Sequence, residues 1–250
     1  MKIVVLGASG LIGSKLVDCL YRDGHAVAGV SPCSGLDTVS GEGLVEAVTG
    51  ADIVFDLTNS RSAEPRAAMD FFGISTRNIM EACRAAEIEH HVVMSYVGAD
   101  RLRSTGYMCA KIVQEEIVRA AGVPYTIVRS TQGFESVERL ARPEAQDEVR
   151  LPAVRIQPAA SEDIAALLGD IARMAPLNGT LEIAGPERFS LPELARQVLS
   201  AREDPRRVFV DRKAPCFGCP EGEESLLPGP DARLMPTSFS DWLRQSISPD

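Results

Sequence analysis

The chain has 250 residues and a formal net charge of −9. That length can bury a sizeable core and fits one α/β domain with a modest appendage better than two equal domains. The acidic balance argues against nucleic acid or an anionic membrane as partner, and no apolar run approaches the roughly 18 residues that span a bilayer. A small molecule is the expected partner.

The first stretch, MKIVVLGASGLIG, reads as a buried strand over 2–6, a tight turn, and a helix from Leu11 to Gly24. Lys2 followed by apolar residues superficially resembles a signal peptide, but three glycines interrupt the run, so it is read as a strand. Gly7 permits the sharp turn, Gly10 lets a pyrophosphate approach, and Gly13 lets helix pack on strand. The N–H groups and positive dipole end at such a helix start bind anions, which makes Gly7, Ser9, Gly10, Leu11, Ile12 and Gly13 a predicted dinucleotide cradle.

A second strand follows at 25–30. An acid just past it would select NAD, and an Arg would favour NADP. The residues there are Ser31, Pro32, Cys33, Ser34 and Gly35. With no acid to repel a 2′-phosphate, and with the hydroxyls of Ser31 and Ser34 to bind it, NADP is favoured and NAD stays open. Residues 37–39 read as a very short third strand, 42–50 as a helix, and 51–60 as a fourth strand whose end, Leu57-Thr58-Asn59, should line the nicotinamide side of the groove.

A long amphipathic helix is predicted over 64–87, with Met69, Phe72, Ile79 and Ala82 at helical spacing. A fifth strand, 90–98, opens with His90 and His91; neighbours on a strand face opposite ways, so the pair reads as structural and not as a metal site. A helix from about 105 to 122 and a sixth strand at 123–130 complete the alternation. The pattern is that of a doubly wound parallel sheet with right-handed crossovers. The outer faces of the helices over 64–87 and 105–122 carry Arg66, Arg77, Glu115 and Arg119, which leaves monomer and homodimer open.

From 133 the rhythm changes. Residues 133–158 read as polar loop, 161–174 as a helix capped by Ser161, and 179–185 as a strand. Residues 190–201 read as a helix with a Ser190–Glu193 capping box, 206–211 as a strand, 214–237 as a loop over the site, and 239–247 as a short helix. These divide the chain into a nucleotide-binding core, 1–132, and a small substrate and lid region, 133–250, integrated with it.

The six cysteines have no framework spacing, so reduced thiols in a cytoplasmic protein are expected. Cys216 and Cys219 form a CxxC with no second pair to complete a metal knuckle. No metal site is expected.

Tyr107 and Lys111 lie four apart on a predicted helix and share one face. Ser95 ends the strand before it. In such a set the tyrosine hydroxyl can donate a proton to an oxygen that gains charge as its carbon takes hydride. A neighbouring ammonium would lower the tyrosine pKa, and the serine hydroxyl would steady the substrate oxygen.

The GASGLIG turn, the Ser95, Tyr107 and Lys111 set and the order of elements resemble the short-chain dehydrogenase/reductase superfamily. GLDTVSGEGL, ADIVFDLTNS, HHVVMSYVGADRL and GVPYTIVRSTQ are similar to its atypical, NmrA-like branch. The resemblance is strongest over 1–132. It implies a Rossmann fold, bound NAD(P)H, and Lys111 holding the nicotinamide ribose; such proteins include reductases, epimerases, dehydratases and dinucleotide sensors. Retention of Tyr107 favours an NAD(P)H-dependent oxidoreductase acting on a carbonyl. A redox-neutral epimerase, dehydratase or cyclase, and a regulator without turnover, are the alternatives. Tyr96, Val97, Gln132, Gly133 and Phe134 are the expected substrate-binding residues. Relatives tend to carry an aromatic where Gly133 stands, so a bulkier substrate is expected.

Overall fold

Seven parallel strands form the centre of the computed structural model, which describes all residues except 63, 103–105, 143–147, 215–225 and 248–250. The first half of the chain alternates strictly: β1 (Lys2–Leu6), α1 (Leu11–Arg22), β2 (Ala26–Val30), α2 (Leu44–Val48), β3 (Ile53–Asp56), α3 (Pro65–Ala85), β4 (His90–Tyr96), α4 (Gly106–Ala120) and β5 (Tyr125–Ser130). The second half adds α5 (Phe134–Ala141), β6 (Glu148–Leu151), β7 (Arg155–Ile156), α6 (Ser161–Ile171) and β8 (Gly179–Ala184). It ends with β9 (Phe189–Ser190), α7 (Leu191–Ala201), β10 (Arg207–Val210), β11 (Arg233–Leu234) and α8 (Phe239–Ile247).

The strand order is β2-β1-β3-β4-β5-β8-β11, with every pairing parallel. Successive side chains of a strand point to opposite faces, so an apolar strand such as β1 can supply two cores at once. Ile3 and Val5 pack with Leu16 and Leu20 of α1 and Ile164 and Leu168 of α6. Val4 and Leu6 pack on the other face with Ile79 of α3 and Val118 of α4. This is the doubly wound sheet the alternation predicts. A third core lies in the second half, where Phe134, Val137, Leu151, Leu194, Phe239 and Trp242 cluster.

The order in which strands are added reverses between β1 and β3, β2 lying on one side of β1 and β3 on the other, which makes this the topological switch point. Ligands of open α/β sheets bind outside the strand ends there, and this fixes where the site must be.

Several expectations fail. Residues 37–39 form no strand, because the Asp37 carboxylate accepts from Val39 N at 2.8 Å and Gly41 N bonds back to Asp37 O at 2.9 Å, closing the segment into turns. Residues 133–158 are not loop: Phe134, Val137 and Ala141 give α5 a buried stripe, and the alternating strand β6 buries Val149 and Leu151 and pairs with β10. Ala160, not Ser161, caps α6, since the Ser161 hydroxyl donates to Glu135 Oε1 at 2.6 Å. Ser190 does cap α7, but without a side-chain bond, so no capping box forms. Of the expected loop over the site, Leu226 joins the third core and β11 extends the main sheet beside β8. Cys216 and Cys219 lie outside the described residues.

Candidate functional site

At the switch point the backbone itself shapes a cradle. Gly7 has φ +83°, and a Cβ on it would lie 2.7 Å from Leu57 O. A Cβ on Gly13 would lie 2.3 Å from Gly7 O. Only glycine satisfies both positions, which draws α1 tight against the turn. Gly10 caps α1 without a side chain, leaving first-turn N–H groups that the helix cannot pair internally. A pyrophosphate is the chemistry that fits such a start.

Two cavities meet at this turn, and Gly7, Gly10, Leu57, Thr58 and Asn59 line both. The first, of about 290 Å³, adds Leu11, Ile12, Gly13, Ser95, Tyr96, Lys111, Gln132 and Gly133. The second, of about 780 Å³, adds Ser9, Ser31, Asp37 and Arg61. Of the sequence-predicted residues, Ser95, Lys111, Tyr96, Gln132 and Gly133 line only the first cavity and Ser31 only the second, while Leu57, Thr58 and Asn59, expected on the nicotinamide side, line both.

Four predicted residues take other places. The Ser34 hydroxyl turns inward, donating to Ser31 O at 2.7 Å and accepting from Ser31 N at 2.9 Å, and it lines neither cavity. Val97 is fully buried. Phe134 belongs to the third core, where its ring stacks on Trp242 at 5.2 Å. Tyr107 lines neither cavity directly; its hydroxyl donates to Asn59 Oδ1, which lines both.

Behind the first cavity stands a buried polar assembly. Lys111 is 2 % exposed; its ammonium donates to Met94 O at 2.7 Å and to Gln114 Oε1, and it sits 4.5 Å from the Phe72 ring centroid. The Gln114 amide in turn donates to Asp56 Oδ2 at 3.1 Å. Burial pushes the Lys111 ammonium down to about 8, against the opposing pull of Asp56 and Glu115.

Ser95 donates to Glu115 Oε1 at 2.6 Å. Arg129 binds the same carboxylate in bidentate fashion, at 2.9 and 2.8 Å, and reaches Asp100 at 2.7 Å. Arg119 adds a bond to Glu115 at 2.8 Å. Burial alone would raise the Glu115 carboxyl, but the bonds from Arg129 and Ser95 hold it below its ordinary range. Expected on an outer face, Glu115 is instead fully buried.

The anticipated tuning of Tyr107 by Lys111 is not what the structure shows. Burial and the neighbouring Tyr96, whose ring lies 6.1 Å away, push the Tyr107 hydroxyl upward, while Lys111 spends its bonds on Met94 and Gln114. Tyr107 therefore keeps its proton at neutral pH. Ser95 has likewise committed its proton to Glu115, so it offers the cavity lone pairs only.

Sequence reasoning missed Asp56, Gln114 and the roles of Glu115 and Arg129. One signal was available: Glu115 follows Lys111 by four and Ile112 by three, on the same helical stripe as Met108 and Val118. The paired histidines are both buried. His90 shares a hydrogen bond with Thr126 Oγ1 at 2.8 Å, and burial lowers both imidazoles, His90 to about 4.

Over 152 residues the chain is 24 % identical to the photosystem II assembly factor Ycf39 of Cyanophora paradoxa, a match covering 55 % of this chain and 47 % of that protein. The chain thus spans about half the length of that curated relative. Among solved structures, it resembles a nucleoside-diphosphate-sugar epimerase from Staphylococcus aureus with a TM-score of 0.72 at 16 % identity, covering 98 % of this chain and all of that one. A dTDP-4-dehydrorhamnose reductase from Bacillus anthracis in complex with NADP gives a TM-score of 0.70 at 17 % identity, covering 98 % and 92 %. The fold is shared with both, and the NmrA-like resemblance fits it. A family model described as NAD(P)H-binding matches residues 7–168, from the glycine turn through most of α6, and the chain belongs to that NAD(P)H-binding family.

Proposed function

We propose that the protein is an NAD(P)H-dependent oxidoreductase that reduces a small carbonyl compound, with Tyr107 as proton donor. The observation that carries this reading is the continuity of the first cavity, which runs from Gly10 and Gly13 at the phosphate end to Ser95, Tyr96 and Lys111 at the other. NAD(P)H, held by the turn of Gly7, Gly10 and Gly13, would supply the hydride.

The chain's own residues supply the rest. Tyr107 holds a proton on a hydroxyl whose pKa burial has raised, and Asn59 Oδ1 accepts its hydrogen bond until a substrate oxygen takes that place. As the carbonyl carbon gains hydride, its oxygen takes the Tyr107 proton, and solvent restores it. Lys111, held over the Phe72 ring, places positive charge beside the developing alkoxide. Ser95 and Tyr96 bound the substrate side.

The test is consumption of NADPH and NADH at 340 nm across a panel of ketones and aldehydes, with Tyr107→Phe as control. Loss of about 100-fold or more in kcat is expected for the variant, the range for removing a positioned acid. Equal turnover by Tyr107→Phe would remove the proposed acid. Binding of NADPH without its consumption on any carbonyl would move the reading to redox-neutral chemistry or regulation.

A further inference from the structure

The wall of the first cavity carries buried polar atoms with no hydrogen-bond partner. Gln132 is 3 % exposed and lines the cavity, yet neither its Nε2 nor its Oε1 has a partner. Glu135 also lines the cavity, and its Oε2 is buried and unpartnered. Its other oxygen is fixed, accepting from the Ser161 hydroxyl at 2.6 Å and from Trp242 Nε1 at 3.2 Å. The carboxylate is therefore held in one orientation with one acceptor left open. A Cβ on Gly133 would lie 3.0 Å from that open oxygen, so the missing side chain is what makes room for it.

Buried polar groups are normally bonded, and leaving one unmade costs the desolvation of that group. A carboxylate oxygen can only accept, while a carboxamide both donates and accepts. The complementary ligand group must do both. A hydroxyl does, donating to Glu135 Oε2 and accepting from Gln132 Nε2. An ammonium cannot accept, and it would meet the like charges of Lys111 and Arg139, which line the same cavity.

We propose that Gln132 and Glu135 form a recognition site for a substrate hydroxyl, so that the compound reduced is a hydroxylated carbonyl rather than a bare ketone or aldehyde. This rests on the reading of the first cavity as the substrate site. It assigns Gln132 and Glu135 to substrate specificity and leaves the hydride and proton steps to the residues already named.

The sole tryptophan of the chain, Trp242, is bonded to the carboxylate in question and reports on it. The full chain, saturated with NADP⁺, is titrated with cyclohexanone and with 2-hydroxycyclohexanone, following Trp242 emission and heat. The hydroxylated probe should bind at least about tenfold more tightly and shift the emission, a factor typical of a hydrogen bond to a charged group. Gln132→Leu and Glu135→Gln should each erase that preference while leaving NADP⁺ affinity and melting temperature near those of the parent.

Equal binding of the two probes overturns the proposal, as does a preference that survives both substitutions. If Gln132→Leu instead weakens NADP⁺ about tenfold and spares the probe preference, the amide pairs with the nicotinamide carboxamide and the assignment is wrong. Selective binding without turnover of either probe would sink the reductase reading alone.

Discussion

The two cavities share the glycine turn and differ in what stands behind them. The first is backed by buried, mutually bonded charge: Lys111 through Gln114 to Asp56, and Ser95 with Arg129 on Glu115. The second is bounded by turns, and its charged residues Asp37 and Arg61 are exposed. Groups locked in a low-dielectric network keep their geometry and act strongly, whereas exposed charges are screened and adaptable. On the proposed reading, the molecule places its rigidity at the reacting end and leaves the adenosine end to weak, tunable contacts.

The sharpest way to break this contrast is to remove the carboxylate at the centre of the rigid side. Glu115→Ala strands Arg129, which is only 8 % exposed, without its bidentate partner. Removing one member of a buried pair typically costs about 3–5 kcal/mol. In a chain of this size that corresponds to a fall in Tm of about 10 °C, read by calorimetry or circular dichroism. A loss below about 1 kcal/mol would mean that the network is not what holds Ser95 in place.

A smaller effect reads the other buried cation through pH. Burial lowers Lys111 to about 8 in the folded chain, against about 10.4 for an unfolded lysine. Between those values the unfolded chain binds more proton, so raising pH favours the fold. Below pH 8 both states are protonated and the cost of burying the ammonium is felt in full. Denaturant unfolding should show the parent gaining about 2 kcal/mol relative to Lys111→Met between pH 8 and 10. Parallel pH profiles for the two proteins would place the ammonium in a wetter setting than the structure gives it.

The same contrast separates what the sequence could reveal from what it could not. β1, β3, β4 and β5 are apolar runs closed by turns, and the glycine spacing after β1 carries chemistry on its face, so the parallel sheet and an NAD(P)H-binding chain were legible. The stretch after Gln132 was not. Pro143, Pro152 and Pro158 break the pattern among many charges, and they hid a three-point stripe in α5 and a four-residue strand that needs β10, far along the chain, as its partner. Ser95 and Lys111 could be placed at one cavity by element and spacing, while Tyr107 reaches it only through Asn59. Which partner each had taken depends on Asp56, Gln114, Glu115 and Arg129, which arrive from three different elements. Direction was equally hidden: Phe134 and Val97 sit beside cavity residues in sequence and face the interior.

The smallest expected effect lies at the adenosine end and tests the adaptable side of the comparison. Asp37 and Arg61 bring opposite charges to one cavity beside Ser31. The Asp37 carboxyl is held below its ordinary range by the Val39 N–H, so at neutral pH it is charged. A 2′-phosphate would be drawn by Arg61 and repelled by Asp37, and the unphosphorylated ribose would feel neither strongly. Arg61→Ala should therefore lower the NADPH-to-NADH affinity ratio about threefold, and Asp37→Ala should raise it by a similar factor, the scale set by screened surface charges. Calorimetric titration of both dinucleotides at two salt concentrations checks this, because the shifts should shrink as ionic strength rises. Equal changes for NADPH and NADH in both variants would show that neither charge meets the phosphate, and would leave the choice between them to the hydroxyl of Ser31 and the backbone of its turn.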